Sequence, residues 1–210
     1  MEKKLFAKRV VEVGYMKRIS LEESLEESPV MDKNGFEYFI HALCDGCLPI
    51  SMRMLDDAAD DIVSIFNSNL MEFPNKVVCV ESMGIPIGVA VAQKMEKELN
   101  FPVDLVIVRK RDYGSCFPNQ IAIEADKGYQ KDVLYINGVD SNDLIFLVDD
   151  VIASGNTLNQ TIKAIRYAGA SIVGAGAIVE IDGATEKIDP AIETFALVNL
   201  TIKNGKVVIL

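Results

Sequence analysis

The stretch of the chain with the most chemistry in it is Leu144–Thr157, LIFLVDDVIASGNT. An apolar run ends in two adjacent carboxylates, Asp149 and Asp150, and a turn of small residues then leads into a helix-forming segment. Such a turn can wrap a phosphate. The backbone N–H groups of Ser154, Gly155, Asn156 and Thr157, with the Ser154 and Thr157 hydroxyls, supply donors where a helix dipole favours an anion. Gly155 permits both the tight turn and the close approach, and Ala153 opens the turn. Two carboxylates beside that phosphate cannot be its ligands. They must face sugar hydroxyls, a metal ion or a developing positive charge, and a sugar phosphate satisfies both halves. The segment lacks the Gly-Lys-Ser/Thr ending of a P-loop and the glycine spacing of a dinucleotide fingerprint.

Two further segments invite the same question. Glu81-Ser82-Met83-Gly84-Ile85 follows an apolar run and opens a helix, although by itself a glycine turn after a strand is ordinary α/β punctuation. Arg109-Lys110-Arg111 concentrates three cations in an acidic chain, against the alternative of simple surface charge. His41 is the one histidine, and with no carboxylate adjacent in sequence to orient it, it reads as a structural hydrogen-bonding residue. Cys44-Asp45-Gly46-Cys47 has metal or redox spacing, but no second ligand pair accompanies it. The cysteines beside Leu43 and Leu48, and Cys79 inside VVCV, read instead as small buried hydrophobes.

These residues need a scaffold, and the pattern supplies one. Ser20-Leu21-Glu22-Glu23 has the capping-box form at the start of a short helix ending before Ser28-Pro29. An irregular stretch with Phe36, Tyr38 and Phe39 follows, and then Met54, Leu55, Ala58, Ile62, Ile65 and Phe66 recur at helical spacing. Lys76–Val80 reads as a buried strand, followed by a helix with Pro86 in its first turn and Ile85, Val89, Ala92 and Leu99 inward. Leu105–Val108 is the next strand, Ile121–Ile123 and Val133–Ile136 form a two-stranded flap, and Leu144–Val148 is the central strand. A helix from about Thr157, with Leu158, Ile162 and Ile165 inward, stops at Gly169. Ile172–Val179 is another strand, and Asn204-Gly205 marks a final hairpin. Such alternation predicts a mostly parallel sheet with helices on both faces, an α/β doubly wound fold with ligands at the carboxyl ends of its strands.

Composition limits the partners. The 210 residues hold 31 acidic and 21 basic side chains, a net charge of −10, which opposes nonspecific attraction to a nucleic-acid backbone. Half of the residues are apolar, so a folded single domain is expected. No apolar run approaches the ~18 residues of a membrane span, and charge is scattered through the first eighteen residues, where a signal peptide would be apolar. A cytoplasmic protein with no membrane or nucleic-acid partner is the expectation.

VDDVIASGNT resembles the phosphoribosyl-pyrophosphate signature of the type I phosphoribosyltransferases. Glu81–Ile85 is similar to the pyrophosphate loop of that family, and Arg109–Gly114 stands where the family has a mobile loop that closes over pyrophosphate. The wider resemblance runs from Ser28 to Leu210. Ser28-Pro29-Val30, Tyr38–His41, Asp45-Gly46 and Pro49 resemble the N-terminal hood of archaeal-type hypoxanthine/guanine enzymes, and Gly128–Asn137 resembles their flap. Ala153 stands where many 6-oxopurine enzymes have a general-base Asp. Adenine enzymes have Ala there, but carry Glu-Tyr-Gly where this chain has Gly128-Tyr129-Gln130, and Lys-Leu-Pro-Gly where it has Tyr113–Asn119. Bacterial xanthine enzymes follow the GAGAIVE glutamate with Lys, where this chain has Ile181. The archaeal-type 6-oxopurine branch fits best.

The resemblance implies transfer of a 5-phosphoribosyl group from phosphoribosyl pyrophosphate to a purine, with release of pyrophosphate. It implies Ala153, Ser154, Gly155, Asn156 and Thr157 at the 5′-phosphate, with Asp149 and Asp150 at the ribose hydroxyls and, through them and water, at Mg²⁺. Glu81, Ser82, Met83, Gly84, Arg109 and Lys110 would take the pyrophosphate, with Lys110 counted among the catalytic groups. Glu180, Ile181, Asp182 and Phe39 would form the base pocket, although core packing is an equal reading for the aromatics. It further implies a small hood from residues 1–52, a core over 53–180, a C-terminal hood or hairpin over 181–210, and a homodimer. The alternatives are an adenine or xanthine enzyme, or a regulator that binds the donor without turnover.

Overall fold

The structure is a computed structural model that describes residues 19–33, 35–69, 72–117, 119–126 and 131–210. Residues 1–18, Pro118 and Gly128-Tyr129-Gln130, all used in the sequence reading, lie outside the described residues.

Helix α1 (Leu21–Glu26) opens with the expected capping box: Ser20 Oγ accepts from Glu23 N–H at 3.1 Å, and a Glu23 carboxylate oxygen accepts from Ser20 N–H at 3.2 Å. The aromatic stretch after it is not irregular. It forms a hairpin of β1 (Val30–Lys33) and β2 (Phe36–Phe39) around Gly35, whose φ of 81° the turn needs. Helix α2 (Met52–Asn69) buries Leu55, Ala58, Ala59, Ile62, Val63 and Phe66.

The alternating segment follows as β3 (Lys76–Val80), α3 (Gly84–Leu99), β4 (Asp104–Val108), β5 (Ile121–Asp126), β6 (Lys131–Ile136), β7 (Leu144–Ile152), α4 (Asn156–Tyr167), β8 (Ser171–Ile181), β9 (Thr194–Lys203) and β10 (Lys206–Ile209). Six strands make one sheet in the order β10-β9-β8-β7-β3-β4, parallel throughout except for the β9–β10 hairpin. That hairpin turns through Asn204 and Gly205, both at positive φ. β9 and β10 thus belong to the main sheet. β5 and β6 pair apart from it as the antiparallel flap.

Burial on both faces explains the unbroken apolar runs of the inner strands. Successive side chains of β3 and β7 alternate between two cores. Val77, Cys79, Phe146 and Val148 pack with α2 and α3, whereas Val78, Val80, Ile145 and Leu147 pack with α4 and with Ile123 and Leu134 of the flap. At the first core's centre the Phe66 and Phe146 rings meet edge to face, with centroids 4.8 Å apart.

Two expectations shift in detail. Val89 is 38 % exposed, and α3 instead turns Ile87, Gly88, Val91, Ala92 and Met95 inward, with Ile85 and Leu99 partly buried at the margins. Gly88 causes the rotation: an added Cβ there would lie 2.8 Å from Cys79 Cβ, so the helix approaches the sheet through its smallest residue. β7 also continues four residues past Val148, so the acid pair lies within a strand. Cys79 is buried as expected and Cys44 partly so, but Cys47 is exposed because it occupies a turn outside the sheet.

Candidate active site

Parallel strands deliver their carboxyl ends to one edge, and the neighbours β4, β3, β7 and β8 therefore bring four sequence-distant loops side by side. Glu81 follows β3 and Arg109 follows β4. The Glu81 carboxylate accepts from Arg109 Nε at 3.2 Å and from Lys110 N–H at 2.6 Å, which ties these two loops together. Arg109 also exchanges two backbone hydrogen bonds with Tyr135 of β6, so the cationic loop is anchored to the flap. Gln120 adds a second tie, accepting from Tyr113 N–H and donating to the Asp112 carboxylate. Gly114 N–H, and then the Gln120 amide, hold the Asp112 carboxyl below its ordinary range. Arg111 stacks over Tyr113, 5.4 Å from the ring centroid.

The turn after β3 meets the acid pair at Gly84. A Cβ on Gly84 would lie 2.7 Å from Asp149 Oδ1, so only glycine lets the first turn of α3 close against that carboxylate. Asp149 Oδ1 also accepts from Asp150 N–H at 3.0 Å, which orients the pair. The Glu81–Ser82 peptide bond is cis. After β7, Gly155 caps α4 in the left-handed region at φ 77°, with no side chain bonded to cap the helix. A Cβ added there would lie 2.9 Å from Ile188 Cδ1 and 3.7 Å from Lys187 Cβ, both beyond β8. Ser154 Oγ accepts from Asn156 N–H at 3.4 Å.

The base-pocket candidates divide. Phe39 is 6 % exposed and packs in the core with Leu25 and Leu43, because hairpin pairing turns it inward. Ile181 is partly buried against the same core, and Asp182 is exposed at φ 53°. The Glu180 carboxylate accepts from Thr185 N–H at 2.8 Å and from its hydroxyl at 2.6 Å.

Other contacts had no signal in the sequence. The hood turn reaches the site through Gly46, whose added Cβ would lie 2.6 Å from Met83 Sδ. His41 lies just before that turn and is 4 % exposed. Its Nδ1 accepts from Leu43 N–H at 3.3 Å, which leaves Nε2 to donate to Ser24 Oγ at 3.0 Å. Burial lowers its pKa, so it is a neutral structural residue. Burial first, then the Asp150, Asp149 and Asp45 carboxylates, pushes the Cys44 thiol well up, and burial with Asp149 pushes Cys79 to about 12. Protonated thiols are poor metal ligands and poor nucleophiles. Among the described residues no group of three or more His, Cys, Asp and Glu could hold a metal ion, and no helix is long and apolar enough to cross a membrane.

Residues 50–208 match the family model for the phosphoribosyl transferase domain. The chain is 36 % identical over 194 residues to a protein of Aciduliprofundum boonei named hypoxanthine/guanine phosphoribosyltransferase, covering 90 % of this chain and 98 % of that one. It is 40 % identical over 161 residues to the protein of the same name from Methanohalobium evestigatum, covering 77 % and 78 %. Its backbone is similar to the crystal structure of an adenine phosphoribosyltransferase from Rhodothermus marinus, with a TM-score of 0.63 at 20 % identity, covering 86 % of this chain and 96 % of that one. With the loops in these positions and more than half of its length in the family model, the chain belongs to the phosphoribosyltransferase family.

Proposed function

We propose that this phosphoribosyltransferase moves the 5-phosphoribosyl group of phosphoribosyl pyrophosphate onto a 6-oxopurine, hypoxanthine or guanine, in purine salvage. The observation that carries this reading is the closed contact of Gly84 with Asp149, together with the Glu81 link to Arg109 and Lys110. It joins three loops into one receptor with carboxylates at its centre and cations at its rim. The relatives' names supply the choice of base.

Breaking the bond at the anomeric carbon builds positive charge on the ribose ring and negative charge on the leaving pyrophosphate, so both ends need electrostatic help. Asp149 and Asp150 accept hydrogen bonds from the ribose hydroxyls, and their charge favours the cationic ring. Ala153–Thr157 holds the 5′-phosphate by backbone amides and hydroxyls. The backbone of Ser82, Met83 and Gly84, with Arg109 and Lys110, receives the pyrophosphate. Glu81 acts through the Arg109 guanidinium and the Lys110 backbone that it holds, since a carboxylate repels phosphate. The flap and the Arg109–Gly114 loop, joined through Tyr135 and Gln120, exclude water that would hydrolyse the donor. The base lies beyond β8, where Ile181 and Asp182 line its edge and Glu180 sets the shape of the following turn.

The hard oxygen donors of Asp149 and Asp150 suit Mg²⁺ that would arrive with the donor and would keep most of its water. Bound there, it would neutralise charge on the leaving group. We further infer a cytoplasmic homodimer: four cysteines in 210 residues are too few and too unevenly spaced for a disulfide framework, and symmetric pairs are the common assembly.

The test is a spectrophotometric assay of nucleotide formation with Mg²⁺, the donor and each of hypoxanthine, guanine, xanthine and adenine. Turnover with hypoxanthine or guanine is expected. Turnover only with adenine or xanthine moves the assignment to those branches, and donor binding without turnover on any base makes the protein a regulator.

A further inference from the structure

The loop after β8 is fastened to the phosphate-binding end of α4 by two side chains of that helix, Asn159 and Arg166, that the reaction above does not employ. Glu180 folds the chain back by accepting from Thr185 N–H and Oγ–H, and Asn199 Oδ1 of β9 accepts from Gly183 N–H at 3.2 Å. Asn159, in the first turn of α4, bonds in both directions: its Nδ2 donates to Lys187 O at 2.8 Å and its Oδ1 accepts from Asp189 N–H at 3.0 Å. Arg166, farther along α4, pairs with the Asp189 carboxylate.

These bonds press the turn Ala184–Lys187 against the phosphate loop. A Cβ on Gly155 would stand 2.9 Å from Ile188 Cδ1, 3.5 Å from Ala184 O and 3.7 Å from Lys187 Cβ. Lys187 is exposed, and its ammonium has no hydrogen bond or ion pair among the described residues. The lysine stem carries that ammonium roughly 5 Å beyond Cβ, far enough to cross Gly155. The other ionisable groups at the carboxyl ends of β7 and β8 and on the turn Ala184–Lys187 are the carboxylates Asp149, Asp150, Glu180, Asp182 and Glu186. A phosphate dianion held only by amides would meet their repulsion uncompensated.

We propose that Lys187 binds the 5′-phosphate of the donor as a cation delivered from the loop after β8, and that Asn159 is the positioning residue that holds it there. This rests on the assignment of Ala153–Thr157 to the 5′-phosphate. Lys187 adds a point charge to an otherwise neutral cradle, and the loop that frames the base is thereby linked to the loop that holds the sugar phosphate. A 5′-phosphorylated sugar is then favoured over an unphosphorylated one.

The experiment is calorimetric titration of ribose 5-phosphate and, separately, of magnesium pyrophosphate into the wild-type protein, Lys187→Gln, Lys187→Arg and Glu186→Gln, with donor KM and kcat measured alongside. Lys187→Gln is expected to weaken ribose 5-phosphate about five- to tenfold and to raise the donor KM similarly, with kcat and pyrophosphate affinity within about twofold. Lys187→Arg retains most of the affinity, and Glu186→Gln, one residue away on the same turn, does not weaken it. Wild-type affinity in Lys187→Gln, or equal loss of both ligands, overturns the proposal. A wild-type protein that binds neither ribose 5-phosphate nor the donor overturns the phosphate-site assignment itself, and Lys187 with it.

Discussion

A methyl group on Gly84 would stand 2.7 Å from a carboxylate oxygen that already accepts a hydrogen bond from Asp150 N–H. Gly84→Ala must therefore rotate the Asp149 side chain or push the start of α3 away, and either movement separates the turn after β3 from the acid pair. The expected outcome is a fall in kcat/KM of about tenfold or more with the melting temperature little changed, read by steady-state kinetics beside thermal denaturation. Asp150→Asn keeps the side chain's shape and removes its charge. It should lower kcat/KM by more than about tenfold, and near-wild-type activity would remove the electrostatic role given to the pair. Both carboxylates were legible in the sequence, because an acid pair between a strand and a glycine turn has few uses. The contact with Gly84 was not, since the two residues lie far apart in the chain and no local pattern encodes their distance.

At the scale of elements, the hood depends on one imidazole. His41 joins the turn after β2 to α1 by accepting from Leu43 N–H and donating to Ser24, an arrangement that needs the neutral ring. Burial lowers its pKa from 6.5, so the unfolded chain takes up the proton first as pH falls. The stability it contributes is complete above the unfolded value and declines as pH drops through and below it. The expected result is a wild-type melting temperature that falls on acidification from pH 7.5 to 5, with a shallower slope in His41→Gln. Parallel slopes would remove the role. The sequence marked His41 as structural but left the neighbouring aromatics irregular, although they pair as β1 and β2. Four-residue strands carry too little periodicity to stand out, and Phe39 is inward because of its pairing partner Val30 rather than any pattern of its own.

Across the whole molecule, the two ends of the sheet have different tasks. The carboxyl ends of β3, β4, β7 and β8 hold the ligand loops, whereas the amino end is held by Lys76, whose ammonium reaches Asp143 Oδ2 and Gly138 O, each at 2.8 Å. Asp143 is 4 % exposed and also accepts from Asp140 N–H, so Lys76→Met would leave a buried carboxylate without its cation. The expected cost is about 3 kcal/mol in urea unfolding, with kcat unchanged because the site lies at the opposite edge. The chain by itself determined the order of strands and helices from α2 onward, the acid pair, the glycine turns and the cationic loop, because each is written in contiguous residues through periodicity, capping and turn chemistry. Tertiary structure alone decided which face α3 presents to the sheet, that Glu81 bonds Arg109 Nε and Lys110 N–H, and that Lys187 lies against Gly155. The physical reason is common to all three. Each is set by packing between segments whose separation in sequence carries no information about distance, and a buried contact forms only after the sheet has fixed which loops are neighbours.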